Sequence, residues 1–195
     1  MGEEKSDNEI IELYKNGERE ALKYLIERYA SPLFNFVARL TNRNDAGDIV
    51  QEVFIKAWKN IKKFDSKKAS FKTWIFTITR NTITDFSRRK KSILFSDLTS
   101  ARQDLAENSE DSFEENIESE DLLPDEALQK LEDIETLNKT LEKLRPEYRE
   151  VLVLYYQEEM TFEEIGEILS KPTNTVKSQH RRAIIELRKL ISPSP

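Results

Sequence analysis

The stretch Thr161–Ala183, TFEEIGEILSKPTNTVKSQHRRA, decides how this chain is read. Thr161 and Glu164 stand three apart ahead of an apolar run. In that pattern each side chain bonds the other's backbone N–H, and a helix starts. Phe162, Ile165, Ile168 and Leu169 then share one helical face. Gly166 in mid-helix costs about 1 kcal/mol against alanine, so its presence predicts a close approach by a neighbouring helix. Ser170, Lys171 and Pro172 break the helix, and Thr173 is placed to cap a second one. That second helix has an apolar stripe of Val176, Ala183, Ile184, Leu187, Leu190 and Ile191, with His180 in register. Asn174, Lys177, Ser178, Arg181 and Arg182 occupy its opposite face. Two short helices about a tight turn, with a cationic face at the start of the second, have the geometry by which a helix enters the major groove of DNA. The plain alternative for those cations is a solvated helix face. His180, by its register, belongs to the packing.

A basic ending is unexpected in a chain of 195 residues with a formal net charge of -6. The charge is unevenly spread. From Asp97 to Glu126 there are 12 acidic residues and one base, whereas Lys62–Lys91 holds 10 Lys/Arg against 2 Asp. Lys171–Lys189 holds 6 Lys/Arg against one Glu. Two basic islands thus flank an acidic spacer, which the average conceals. With 37% hydrophobic and 35% charged residues and only 4 Gly and 6 Pro, the composition suits small helical bundles. No cysteine and a single histidine leave no thiolate or imidazole metal set, so neither a metal nor a cofactor is expected. No run approaches the ~20 apolar residues of a membrane span, and the acidic start lacks an apolar signal core. The expected location is the cytoplasm, without membrane insertion.

Upstream of the acidic block, NEIIELYKNG reads as a short helix ended by Gly17. A longer helix begins near Glu18, with Leu22, Leu25, Ile26, Tyr29, Leu33, Phe36 and Val37 at spacings of three and four. Asp45 is placed to cap a third helix striped by Ile49, Val53, Phe54, Ala57 and Ile61. Ser70 is placed to cap a fourth, with Phe71, Trp74, Ile75, Ile78, Ile83 and Phe86 inward. The polar loop DSKKAS joins these two. Downstream, Pro124 and Pro146 each suit the first turn of a helix. No strand pattern occurs. The predicted fold is all-α, with two small helical domains joined by an acidic flexible linker: residues 1–95, a linker over 96–123, and residues 124–195.

Three linked segments carry a family resemblance: DAGDIVQEVFIKAWKNIKKF, FKTWIFTITRNTITDFSRR, and LRPEYREVLVLYYQEEMTFEEIGEILSKPTNTVKSQHRRAIIELRKL. In this order, about an acidic spacer, they resemble a bacterial sigma factor of the extracytoplasmic-function group in the sigma-70 family. The resemblance implies a sigma-2 helical bundle followed by a sigma-4 helix-turn-helix. It also implies a promoter-specificity subunit that works only on core RNA polymerase. By the same resemblance Asp48, Gln51, Glu52 and Trp58 bind core polymerase, and Lys56 shares their polar face. Gly47 stands where the family usually has glutamate.

The loop and the helix after it match the element that captures an unpaired base of the -10 region. This implies roles for Phe64, Asp65, Ser66, Lys67, Lys68 and Ser70, with Arg80, Asn81, Arg88 and Arg89 along the non-template strand. Trp74 is a tempting stacking platform, but its register favours packing. For the duplex -35 element the implied readers are Asn174, Lys177, Ser178, Arg181 and Arg182, the face already found exposed. Many relatives are held inactive by an anti-sigma factor, which adds a partner to polymerase and promoter DNA.

The rival reading is a stand-alone dimeric helix-turn-helix regulator. It demands tight duplex binding without polymerase and leaves the cationic loop without a task. An enzyme is not expected: no nucleophile–base set and no glycine-rich phosphate loop is present.

Overall fold

A computed structural model describes residues 5–98 and 139–191. The acidic stretch from residue 99 and the helix expected from Pro124 lie outside them, apart from residues 139–142. The described residues are helical, with no strand among them.

Helix α1 (Asp7–Lys15) starts on a reciprocal cap, Ser6 Oγ accepting from Glu9 N while Ser6 N donates to Glu9. Gly17, at φ 107°, takes the left-handed conformation that ends this segment. A single 3-10 turn (Arg19–Ala21) comes before α2 (Leu22–Leu40), so the helix begins slightly later than the periodicity predicts. Leu25, Tyr29, Leu33, Phe36 and Val37 are buried along α2, while Ile26, expected on the same stripe, lies at its edge and is exposed.

Helix α3 (Arg43–Asn60) is capped by Asn42, whose Oδ1 accepts from Asn44 N at 3.2 Å. Asp45 therefore sits inside the first turn, where its carboxylate favours the helix dipole and pairs with Lys90 at 2.9 Å. Helix α4 (Phe71–Leu98) starts as predicted, Ser70 Oγ accepting from Thr73 N at 3.0 Å. The core of this group is aromatic. Phe36 meets Phe76 edge-on at 5.3 Å, and Tyr29 meets Phe71 likewise at 5.3 Å.

Tyr29 ties α2 to α1. Its hydroxyl donates to Asp7 Oδ2 at 2.5 Å, and Arg28 pairs with the same carboxylate. Burial pushes the phenol up, and Asp7 adds to that direction. Tyr29→Phe should cost about 1.5–3 kcal/mol, the typical net value of a hydrogen bond to a charged group. Urea unfolding should show the loss as a lower midpoint at unchanged slope.

The C-terminal group comprises α5 (Pro146–Leu152), a π-helical turn (Val153–Gln157), α6 (Phe162–Leu169) and α7 (Thr173–Ile191). Pro146 stands at the start of α5, as predicted. Both bonds of the Thr161–Glu164 capping box form. Thr173 is not the cap expected of it. The carbonyl of Pro172 accepts the amides of Thr175 and Val176, and Thr173 is already inside α7.

The two groups pack on each other. α6 lies against α4 and α5 against α2. Their buried residues form one continuous cluster, from Leu33, Phe36 and Phe76 to Val151, Leu154, Ile165 and Val176. Among the described residues, Leu141, Leu144, Tyr148, Leu152 and Ala183 make a separate cluster where α5 meets α7. Among the described residues no helix is long and apolar enough to cross a membrane.

Candidate polymerase and nucleic-acid interfaces

Three surfaces collect the predicted residues. The first is the outer face of α3. Asp48 and Gln51 are exposed and Glu52 is half-buried, one turn apart along the helix. Lys56, expected beside them, turns toward α4 instead. Its Nζ donates to Thr82 Oγ1 at 3.1 Å and pairs with Glu52 at 2.9 Å. Arg89 reaches Glu52 from α4 at 2.9 Å. The bonds from Lys56, chiefly, and from Arg89 hold the Glu52 carboxyl below its usual range against a smaller opposing effect of burial. Trp58 is half-buried, its ring stacked on Phe54 at 5.5 Å. Ile55, which stripe analysis passes over, is 45% exposed on this polar face, seven residues after Asp48. An isoleucine off the apolar stripe was the available signal.

The second surface is the loop between α3 and α4 with the helix it feeds. Asp65 Oδ1 accepts from Lys67 N at 3.0 Å, and the Asp65 carbonyl accepts from Lys68 N at 3.0 Å. The loop thereby folds on its own backbone and leaves Ser66, Lys67 and Lys68 exposed. Phe64 is turned inward. It is 7% exposed and packs on Phe71 and Trp74, so it supports the loop from beneath. Trp74 is half-buried in this aromatic set, the packing role its register predicts. Ser70 spends its hydroxyl on the α4 cap. Farther along α4, Asn81, Arg88 and Arg89 are exposed, Arg88 pairing with Asp85 at 3.1 Å. Such exposed pairs are worth about 0–1 kcal/mol, so a phosphate can displace them. Arg80 differs. It is half-buried, and its Nε is buried without a hydrogen-bond partner among the described residues.

The third surface is the start of α7. Asn174, Lys177, Ser178, Arg181 and Arg182 are all exposed and share a face. Ser178 Oγ donates back to the Thr175 carbonyl at 2.9 Å, and Lys177 Nζ lies 5.9 Å over the Phe162 ring. Arg181 and Arg182 have no acidic partner among the described residues. His180 faces the other way, 4.7 Å from the Tyr155 ring and 5.3 Å from that of Phe162. Burial lowers its pKa, as expected of a packing histidine.

The turn before α7 is tight. Ser170 adopts a left-handed conformation at φ 53°, and Lys171 N donates to the Gly166 carbonyl at 2.9 Å. A Cβ on Gly166 would stand 2.8 Å from the Lys171 carbonyl oxygen. The close approach the sequence predicts is real, but it comes from the turn's own backbone and not from a crossing helix.

Residues 25–93 match the family described as Sigma-70 region 2, and residues 134–187 match Sigma-70, region 4. Over 180 residues the chain is 34% identical to the ECF RNA polymerase sigma factor SigW of Bacillus subtilis (strain 168), covering 92% of this chain and 93% of that protein. The chain belongs to the extracytoplasmic-function sigma factors. The ECF RNA polymerase sigma-E factor of Escherichia coli (strain K12) is 30% identical over 189 residues, covering 94% of this chain and 93% of its own length. The sigma fold is shared with solved structures at lower identity. CnrH, in complex with the cytosolic domain of CnrY, superposes with a TM-score of 0.66 at 22% identity, over 98% of this chain and all of that one. The sigma factor RpoE of Bartonella quintana, in complex with the anti-sigma factor NepR, gives 0.65 at 21% identity, over 88% and 97% of the two chains. In sigma-factor terms, the first two surfaces lie in region 2 and the third in region 4.

Proposed function

We propose that this chain is a promoter-specificity subunit: it binds core RNA polymerase and starts transcription at promoters carrying its own -10 and -35 elements. The observation that carries this reading is the pairing, on one chain, of an exposed cationic loop-and-helix surface in region 2 with an exposed cationic recognition-helix face in region 4. Residues 1–95 serve docking and the -10 element, 124–195 serve the -35 element, and 96–123 tether them. Its work is initiation of transcription, not catalysis, and its place is the cytoplasm.

Each surface has its task. The α3 face, Asp48, Gln51 and Glu52 with Trp58 at its end, meets core polymerase, and Ile55 adds an apolar contact at its centre. Ser66, Lys67 and Lys68 ring the position of a flipped -10 base, with Asp65, Ser70 and Phe64 fixing the loop. Asn81, Arg88 and Arg89 follow the single strand, where cations and stacking supply affinity. Asn174, Lys177, Ser178, Arg181 and Arg182 enter the major groove of the -35 duplex. One solved structure of the same fold, RpoE of Bartonella quintana, is bound by the anti-sigma factor NepR, which supports a partner of that kind here.

In vitro transcription over a promoter library, with core polymerase and with or without this chain, tests the reading. Transcripts that start only when the chain is present, from templates sharing two spaced motifs, are expected. Firm, polymerase-independent binding to repeated duplex half-sites would instead identify a stand-alone regulator. The docking face has its own test. Gln51→Ala combined with Ile55→Ala should weaken core affinity about five- to tenfold, the loss of a single interface anchor. Unchanged affinity would remove α3 from the interface.

A further inference from the structure

Between α3 and α4, among the described residues, three cations meet two carboxylates. Glu52 Oε1 accepts Lys56 Nζ at 2.9 Å, and Glu52 Oε2 accepts Arg89 Nη2 at 2.9 Å. Asp85 Oδ1 accepts Arg88 Nη2 at 3.1 Å, while Lys56 Nζ stands 4.0 Å from Asp85 Oδ2. Each arginine thus has a carboxylate of its own, and Lys56 is shared by both. On each acid the lysine and the arginine address different oxygens, so one cation can leave while the other stays.

The three cations are not equally free to leave. The side chains of Arg88 and Arg89 are 81% and 57% exposed, against 36% for Lys56. Exposed pairs of this kind hold by no more than about fivefold, so either arginine can swing from its carboxylate to a phosphate. Lys56 is fastened. Its Nζ donates to Thr82 Oγ1 at 3.1 Å, and that hydroxyl donates in turn to the Ile78 carbonyl at 2.8 Å. Thr82 is fully buried. Anchored to the α4 backbone in this way, the ammonium remains between the two acids when the arginines move. Of the two cations on Glu52, Lys56 also has the stronger hold on its carboxyl.

Electrostatics sets the consequence. A carboxylate that loses its last cation beside a nucleic-acid strand presents a like charge to the phosphates and repels them. With Lys56 in place, Glu52 and Asp85 keep a counter-ion after both arginines have turned outward. Without it, two arginines face two acids, and each arginine that goes to the strand leaves a bare carboxylate behind.

We propose that Lys56 is a positioning residue for the -10 strand: as the counter-ion shared by Glu52 and Asp85, it releases Arg88 and Arg89 to phosphates without touching nucleic acid itself. The roles of the two arginines rest on the sigma-factor reading above; the placement of Lys56 between the carboxylates does not. The inward turn of Lys56, which takes it off the docking face of α3, gives it this place.

The test uses holoenzyme at saturating core polymerase. The probe is a fluorescently labelled single-stranded oligonucleotide carrying the -10 motif recovered from the promoter library, and anisotropy gives its affinity. Lys56→Met should weaken strand binding about two- to fivefold, the worth of one such pair, at unchanged helical content. In a chain that already carries Arg88→Ala and Arg89→Ala it should cost nothing further, because the lysine then has no arginine to release. If Lys56→Met loses helical content, Lys56→Gln, which keeps a hydrogen-bond donor without the charge, replaces it with the same expectations. Parental affinity in the folded Lys56 variant would overturn the proposal. So would an equal loss with and without the two arginines, which would make Lys56 a strand cation in its own right. A parent holoenzyme that does not hold the strand would sink the sigma-factor reading and this proposal with it. A parent that holds the strand, beside a silent Lys56 substitution, sinks the proposal alone.

Discussion

Gly166→Ala lowers the thermal midpoint of the chain, although alanine is the better helix former. Propensity alone predicts a gain of about 1 kcal/mol in a helix interior. Against it stands the Lys171 carbonyl oxygen, 2.8 Å from where the new Cβ would sit, with Thr173 N and Oγ1 at 3.8 Å. The oxygen is backbone, and it has little room to retreat. Lys171 N is bonded to Gly166 O, and the Pro172 carbonyl that follows accepts the first two amide bonds of α7. Moving the turn means moving α7. Overpacking of this kind costs about 1–3 kcal/mol, which exceeds the propensity gain. A net loss of up to about 2 kcal/mol should lower the midpoint by up to several degrees. Transcription from -35-dependent promoters should fall with it, because the recognition helix is displaced from its partner α6. Circular dichroism melting checks the sign. A midpoint equal to or above that of the parent would mean the turn yields freely.

Arg181→Ala should cut transcription from promoters that need a -35 match by about 5- to 150-fold, leaving core affinity and thermal stability unchanged. The range corresponds to the ~1–3 kcal/mol of a bidentate arginine–guanine contact. The residue is exposed and without an acidic partner among the described residues. Its guanidinium is therefore not spent on the fold, and truncation should cost the fold less than about 0.5 kcal/mol. A phosphate contact behaves differently. It weakens all duplex targets alike and lowers the salt slope by about one. Measuring Arg181→Ala and Arg182→Ala on matched and mismatched -35 sequences, across a salt series, separates base reading from phosphate holding. Equal loss on every promoter, including those lacking a -35 match, would remove base reading from Arg181.

The boundary chemistry of the helices was legible wherever a residue acts on its neighbours. Ser70 and the Thr161–Glu164 pair cap as the pattern predicts, since each needs only a partner three residues away. Asn42 in place of Asp45, and Pro172 in place of Thr173, show the limit. Several polar residues near a start can cap, and backbone geometry chooses among them. The exposed cationic face of α7 was read correctly from periodicity alone, since one helix defines its own faces. On α3 the same periodicity misplaced Lys56, because the groups that take it inward, Thr82 and Asp85, belong to α4.

Local spacing and charge order, then, were enough to predict an all-α fold with two cationic surfaces, and the resemblance of three segments placed the chain among the sigma factors. These signals act within a helical turn or accumulate along the chain, so they survive in one dimension. The assembled fold alone could decide that Phe64 turns under its loop, that Arg80 is half-buried, and that Gly166 faces the backbone of its own turn. It also set region 4 against region 2 through one shared buried cluster. Each depends on contacts between residues far apart in the chain, or on the path of a turn. Burial of that kind follows from how apolar faces find one another, and no pattern along a single helix records its partner.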